Sequence, residues 1–158
     1  MHVFYKILKL VTNVYLLACV ADQIAFYATL TRDVYPTSAR QVIFFDKITT
    51  NQGGAYDGSS GTFTAPVNGV YVFSLTIRLF GYSSYTYQGT FQLMVNGAAY
   101  LSLYPDTHSQ DRQFSSSSGT AVLTLEKGDT VHVVSKETKK FIEGDSSYSS
   151  YFSGFLLK

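Results

Sequence analysis

Tryptophan is absent, cysteine occurs once, and charged side chains make up only 15% of the 158 residues. Each scarcity excludes something. A lone cysteine, Cys19, cannot build a disulfide framework or a multi-cysteine zinc site. The net charge is +1 and no basic run is long enough to track a line of phosphates, so nothing argues for nucleic acid. The chain has no Gly-x-x-x-x-Gly-Lys phosphate loop, no His-Glu-x-x-His and no Gly-x-Ser-x-Gly elbow. It has no Asn-x-Ser/Thr sequon, so N-linked glycan is not expected. Aromatics are plentiful instead: 13 Tyr and 12 Phe, within a hydrophobic fraction of 46%, supply a core for one domain.

Residues 1–21 differ from the rest. Lys6 and Lys9 precede an apolar run from Leu10 to Val20, and Cys19 and Ala21 sit where small residues precede a signal cleavage. The run is shorter than the roughly 20 apolar residues of a membrane span. The reading is a cleaved secretory signal, leaving Asp22 to Lys158 as a secreted, extracellular domain with no membrane span. Cleavage there removes the only cysteine and takes the net charge from +1 to −1. Two alternatives stand beside it. One is an N-terminal strand or membrane-anchoring helix. The other, for a bacterial source, is a lipoprotein box at Leu16-Leu17-Ala18-Cys19.

Beyond Ala21 the pattern is all-β. Tyr71, Phe73, Leu75, Ile77 and Leu79 alternate with Val72, Ser74, Thr76 and Arg78, a period of two that marks a half-buried strand. Phe91-Leu93-Val95 and Ala99-Leu101-Leu103 alternate likewise around Asn96-Gly97, the strongest short hairpin signal because both turn residues take positive φ. Ala121-Leu123-Leu125 and Val131-Val133 are expected to pair around Lys127-Gly128-Asp129. Further strands are expected at Phe26 to Leu30, Val42 to Phe45, Phe63 to Ala65 and Tyr151 to Leu157. Asn68-Gly69 reads as another tight turn. Many short strands separated by turns indicate a sandwich or barrel.

Antiparallel succession from Gly69 onward puts the turns at Asn68-Gly69, Asn96-Gly97 and Lys127-Gly128-Asp129 at one end. The longer connections, about Phe80 to Gly89, Pro105 to Gly119 and Glu137 to Ser150, share the other end. These loops are rich in Tyr and Ser: Tyr82, Tyr85 and Tyr87 in the first, Tyr148 and Tyr151 in the last. The middle one carries Asp106, His108, Asp111 and the run Ser115 to Ser118. Tyr offers large amphipathic contact area and Ser adaptable hydrogen bonds, as in antibody paratopes. The plain alternative is soluble connectors with some tyrosines folded back on the core. His108 with Asp106, Asp111 and serines lacks the setting of a hydrolase, and an enzyme is not expected. His132, between Val131 and Val133, is expected to face outward or towards a subunit neighbour.

The ordered set Phe45-Asp46, Ile48, Asn51, Gly54, Tyr56-Asp57, then Gly61-Thr62-Phe63-Thr64-Ala65-Pro66, Gly69, Tyr71, Phe73 resembles the complement C1q globular domain. Asn96-Gly97, Leu123, Leu125, Gly128-Asp129, Val131 and Phe152 to Leu157 continue the resemblance in order. It covers about Ala25 to Leu157. The resemblance implies a ten-stranded, two-sheet jelly-roll sandwich of the C1q and tumour necrosis factor type, which in this family forms a compact trimer. The chain shows no Gly-X-Y collagen repeats and no coiled coil, and so looks like the stalkless secreted type. Those proteins are similar to lectin-like pattern-recognition proteins of innate immunity that bind microbial carbohydrate.

The expected function is therefore a secreted homotrimer, binding microbial glycans through Tyr82, Tyr85, Tyr87, Asp106, His108, Asp111, Tyr148 and Tyr151. The alternative is a secreted trimeric ligand for a protein receptor, or a structural protein of the extracellular matrix. Calcium is the one ion expected to find ligands, from Asp106, Asp111, Glu143 and Asp145, whose oxygens suit a hard cation. A solvated acidic rim is the competing reading of those four.

Overall fold

Alternation becomes strand wherever one face of a segment can be buried against a second sheet, and that condition organises this chain. The computed structural model describes Lys6 and residues 23–81, 87–107, 113–138, 142–144 and 150–157. Thirteen strand segments appear there: β1 (Ala25–Thr29), β2 (Gln41–Val42), β3 (Lys47–Gln52), β4 (Tyr56–Asp57), β5 (Thr62–Thr64), β6 (Gly69–Gly81), β7 (Tyr87–Gln88), β8 (Phe91–Val95), β9 (Ala98–Leu103), β10 (Asp106–Thr107), β11 (Gln113–Leu125), β12 (Thr130–Ser135) and β13 (Tyr151–Leu157). Four of them, β2, β4, β7 and β10, are only two residues long. One sheet has the order β11-β6-β13-β1-β3; the other has β4-β5-β12-β8-β9, with β2 also on β12; β7 and β10 form a separate pair. The strand pairings are antiparallel, and the fold is an all-β sandwich of the jelly-roll class.

The core lies between the sheets. Tyr71, Phe73, Leu75, Ile77 and Leu79 of β6 are fully buried, as the period of two requires. They meet an aromatic cluster. Phe26 stacks on Tyr56 with ring centroids 4.6 Å apart and meets Phe152 edge-on at 4.9 Å; Phe63 meets Phe73 edge-on at 5.2 Å. Each such ring stabilises the fold by about 1.5–3 kcal/mol through burial. Gly154 makes room for them: a Cβ there would lie 2.5 Å from Phe73 Cδ1 and 2.8 Å from Phe26 Cε1.

Asn96 and Gly97 both have positive φ, 48° and 86°, and close the β8–β9 hairpin as expected. Three other expectations are corrected. The segments around Lys127-Gly128-Asp129 do not pair with each other: β11 runs beside β6 and β12 beside β5 and β8, so this turn crosses between sheets. The link at Asn68-Gly69 also crosses, from β5 in one sheet to β6 in the other, and neither residue has positive φ. Ser115 to Ser118 are not loop. They lie within β11, because β6 offers a thirteen-residue ladder and serine hydroxyls find partners across it. Thr76 and Ser118 hydroxyls are 2.8 Å apart, and those of Ser74 and Thr120 3.1 Å.

The links at Asn68-Gly69, Asn96-Gly97 and Lys127-Gly128-Asp129 do share one end, and they are tied together. Lys127 N–H donates to Asn68 Oδ1 at 2.8 Å, Asn96 Nδ2 to Asp129 Oδ1 at 2.8 Å, and Thr130 N–H to Asn96 Oδ1 at 2.9 Å.

Candidate functional site

At the opposite end the long connections are rooted on strands. Tyr82, Tyr85, His108, Asp111, Asp145 and Tyr148 lie outside the described residues. The remaining candidates are placed as follows. Tyr87 sits in β7, whose pairing with β10 sets Tyr87 opposite Thr107 and Gln88 opposite Asp106, joining the bases of the first two loops. Asp106 is half-buried, and its N–H donates to Ser115 Oγ at 3.0 Å. Tyr151 is the first residue of β13 rather than part of a loop, and its ring stacks on Tyr27 at 5.5 Å.

Glu143 belongs to a strip that crosses the roots of the loops. Ile142 bridges to both Val34 and Leu79, and Gly144 N–H donates to Asp33 Oδ1 at 2.9 Å. Ser150 ties the strip to β6: Arg78 N–H donates to its hydroxyl at 2.9 Å, and its own N–H donates to Glu143 O at 3.2 Å. The Glu143 carboxylate pairs with Arg78 Nε at 2.5 Å, with both side chains largely buried. Arg78 in turn lies over the Phe114 ring, 4.1 Å from its centroid, and Phe114 packs on Phe80 at 5.0 Å. Asp33, Phe80, Phe114, Glu143 and Gly144 line a hollow of about 240 Å³ there. Of the four acidic residues read as calcium ligands, Glu143 therefore has its charge met by Arg78. Among the described residues no three of His, Cys, Asp and Glu gather into a metal-holding set.

Two surfaces escaped the sequence reading. The first is the outer face of the five-stranded sheet. Val122 of β11 faces Val72 of β6, and Phe155 of β13 faces Val72 from the other side, while Leu157 faces Val70. Val70, Val122, Phe155 and Leu157 remain 36%, 62%, 45% and 52% exposed. Their alternation was visible strand by strand, but only the pairing register makes one patch of them. The second is a groove along the β1–β3 connection, lined in part by Tyr35 and Phe44.

The six-stranded sheet contrasts with this. Met94 of β8 and Val134 of β12 are buried yet stand outside the main core cluster. β2 pairs with β12 at Val134, and Pro36, in the chain leading into β2, is buried. His132 is half-buried on the same strand. Burial, and then the nearby charge of Arg40, hold its imidazole below the usual histidine range.

The comparisons with known proteins agree with this architecture. The family described as C1q domain matches residues 25–157. Over 135 residues the chain is 36% identical to Caprin-2 of Danio rerio and 34% identical to complement C1q tumor necrosis factor-related protein 3 of Homo sapiens. Each alignment takes in 85% of the chain, but 14% and 51% of those relatives, so the chain spans about half their length or less. Among solved structures, the globular domain of zebrafish complement 1qA superposes with a TM-score of 0.65 at 24% identity, covering 85% of this chain and 98% of that one. Eiger TNF of S. frugiperda superposes at 0.66 with 14% identity, covering 87% and 94%.

Proposed function

The chain belongs to the C1q-domain family, and on that premise we propose that it is a secreted, non-enzymatic recognition protein that assembles as a homotrimer and binds microbial surface carbohydrate through its long loops. The observation that carries the assembly is the contiguous apolar patch of Val70, Val122, Phe155 and Leu157 on a sheet face that no described strand covers. Scattered exposed apolar residues are ordinary, whereas a joined patch marks an interaction surface. Burying it against two further copies sets three identical loop ends side by side. Weak individual contacts then gain avidity on a repetitive surface, by about 10²–10⁴-fold.

In this reading sugar rings stack on Tyr82, Tyr85, Tyr87 and Tyr148, while Asp106, His108, Asp111 and serine hydroxyls take hydrogen bonds. Tyr151, stacked on Tyr27, frames the edge. Calcium would draw oxygens from Asp106, Asp111 and Asp145, with Glu143 available only after leaving Arg78. Residues 1–21 act as the secretory signal; no helix among the described residues is long and apolar enough to cross a membrane. The test is binding of the purified protein to a microbial glycan array, with calcium and with chelator. A signal competed by free sugar supports the reading, and silence from folded protein overturns it.

A second reading, a trimeric ligand for a protein receptor, draws on Phe114. It is 51% exposed and backed by Arg78, and aromatic and arginine side chains are common anchors of protein hot spots. Binding to cells that free sugar fails to compete, and that Phe114→Ala abolishes, would favour it.

A further inference from the structure

The connection from Thr31 to Asp46 walls a groove of about 490 Å³, lined chiefly by Arg32, Asp33, Tyr35, Gln41, Phe44 and Asp46. That volume is within the range of small-molecule clefts, about 300–1,000 Å³. None of these residues belongs to the tyrosine loops or to the apolar sheet face.

The walls are fixed before any ligand arrives. Thr31 donates to Asp46 through its N–H at 2.9 Å and through its hydroxyl at 2.5 Å. Val34 and Ile142 exchange backbone hydrogen bonds at 2.9 and 3.0 Å. Ile43 N–H donates to Val133 O at 2.8 Å, anchoring the far wall to the six-stranded sheet. A site held this way needs little ordering on binding, which is the condition for useful affinity from few contacts.

Two kinds of group meet in the lining. Tyr35 and Phe44 keep 55% and 47% of their surface open, although Phe44 sits between the fully buried Ile43 and Phe45. Phe44 also abuts Gly61, where an added Cβ would lie 2.9 Å from Phe44 Cδ1, so the ring has a defined seat. Around the rings are acceptors and donors. Asp33 uses Oδ1 to hold Gly144 N–H, and its other oxygen is the one a ligand would meet. Gln41 uses Oε1 to accept from the Thr37 N–H at 2.8 Å and hydroxyl at 3.2 Å, so its NH₂ is the end a ligand would meet. Burial pushes the Asp46 carboxyl up, but the Thr31 hydrogen bonds and the Arg32 charge outweigh it and hold it below the usual carboxylate range. It is an acceptor at neutral pH.

We propose that this groove binds a pyranose unit of a glycan, with a C–H face of the sugar against Phe44 and Tyr35 and its hydroxyls bridging Asp33 and Asp46 to Arg32 and Gln41. A purely apolar ligand would cover the rings and leave carboxylates and a guanidinium desolvated without partners, which is costly. A phosphate or carboxylate ligand would meet two aspartates. A polyol both donates and accepts while presenting a flat apolar face, and so answers every group in the lining. The proposal rests on the carbohydrate reading above but puts a subsite on different residues.

The test is residue-resolved NMR of the ¹⁵N-labelled full chain, titrated with methyl hexopyranosides and their common disaccharides. Three variants accompany it. Phe44→Leu keeps apolar bulk and removes the ring; Phe44→Tyr keeps the ring; Asp33→Asn keeps an oxygen for Gly144 N–H and removes the charge. Shifts at residues 32–46, weakened about tenfold or more by Phe44→Leu and Asp33→Asn and kept by Phe44→Tyr, are expected. Shifts confined to residues 82–87 and 145–151, indifferent to these variants, overturn the groove and leave the carbohydrate reading standing. No shift with any sugar overturns both.

Discussion

The two sheets of this sandwich treat their outer faces differently. On the six-stranded sheet, Met94 and Val134 lie outside the main core cluster and are nonetheless buried. On the five-stranded sheet, Val70, Val122, Phe155 and Leu157 stand in register and stay open. Met94 and Val134 are closed off on one outer face, whereas the other keeps a joined apolar surface open. That asymmetry, rather than the composition of either sheet, is what points to further copies of the chain as the missing cover.

Neighbouring residues of β13 sharpen the contrast most strongly. Phe152 points inward, is fully buried, and packs with Phe26, Phe45, Phe73 and Tyr56. Phe152→Ala is expected to cost about 3–5 kcal/mol in denaturant unfolding. Gly154→Ala, driving a methyl towards Phe73 and Phe26, should be similarly severe. Phe155 points outward: Phe155→Ala should leave the stability of a dissociated chain within about 0.5 kcal/mol. Phe155→Asp together with Val122→Asp should instead dissociate the proposed trimer, read as a fall in sedimentation coefficient at unchanged circular dichroism. Equal destabilisation by the inward and outward changes would erase the distinction.

The covered face gives an intermediate effect. Met94→Ala should cost about 2 kcal/mol, against nearly nothing for Val122→Ala when both are compared as monomers.

The smallest expected effect is electrostatic and tests the same cover. The folded-state pKa of His132 lies below its unfolded value of 6.5. The unfolded chain therefore binds a proton first as pH falls, and stability contributed by the neutral imidazole is present above about 6.5 and declines below it, levelling off once the folded form also protonates. His132→Gln should flatten that part of the stability–pH curve. A curve that falls equally in both proteins would show that His132 does not feel the cover.

How much of this was legible in the sequence follows from what periodicity carries. The alternation from Tyr71 to Leu79 named the buried face of β6 correctly, and Asn96-Gly97 named a hairpin, because both signals are local. Pairing partners are not local. Leu123 and Val131 sit on opposite sides of one short turn, and only the jelly-roll path sends them to different sheets. Ser115 to Ser118 read as loop by composition, yet the ladder with β6 overrides that preference. The outer patch was invisible for the same reason: Val70, Val122 and Leu157 are each unremarkable until register brings them together. Of the candidate binding residues, Tyr87, Asp106 and Tyr151 were placed by strand ends, and Glu143 by the isolated bridge at Ile142. The engagement of Glu143 with Arg78 needed a contact across 65 positions, which no spacing in the sequence announces.

The most direct test of the central claim is the mass in solution of the full chain at micromolar concentration, by sedimentation equilibrium, for wild type and for the Val122→Asp, Phe155→Asp double variant. Three chains per particle are expected for wild type and one for the variant. A wild-type monomer with a folded spectrum would contradict it, because the open apolar face would then be shown to need no partner.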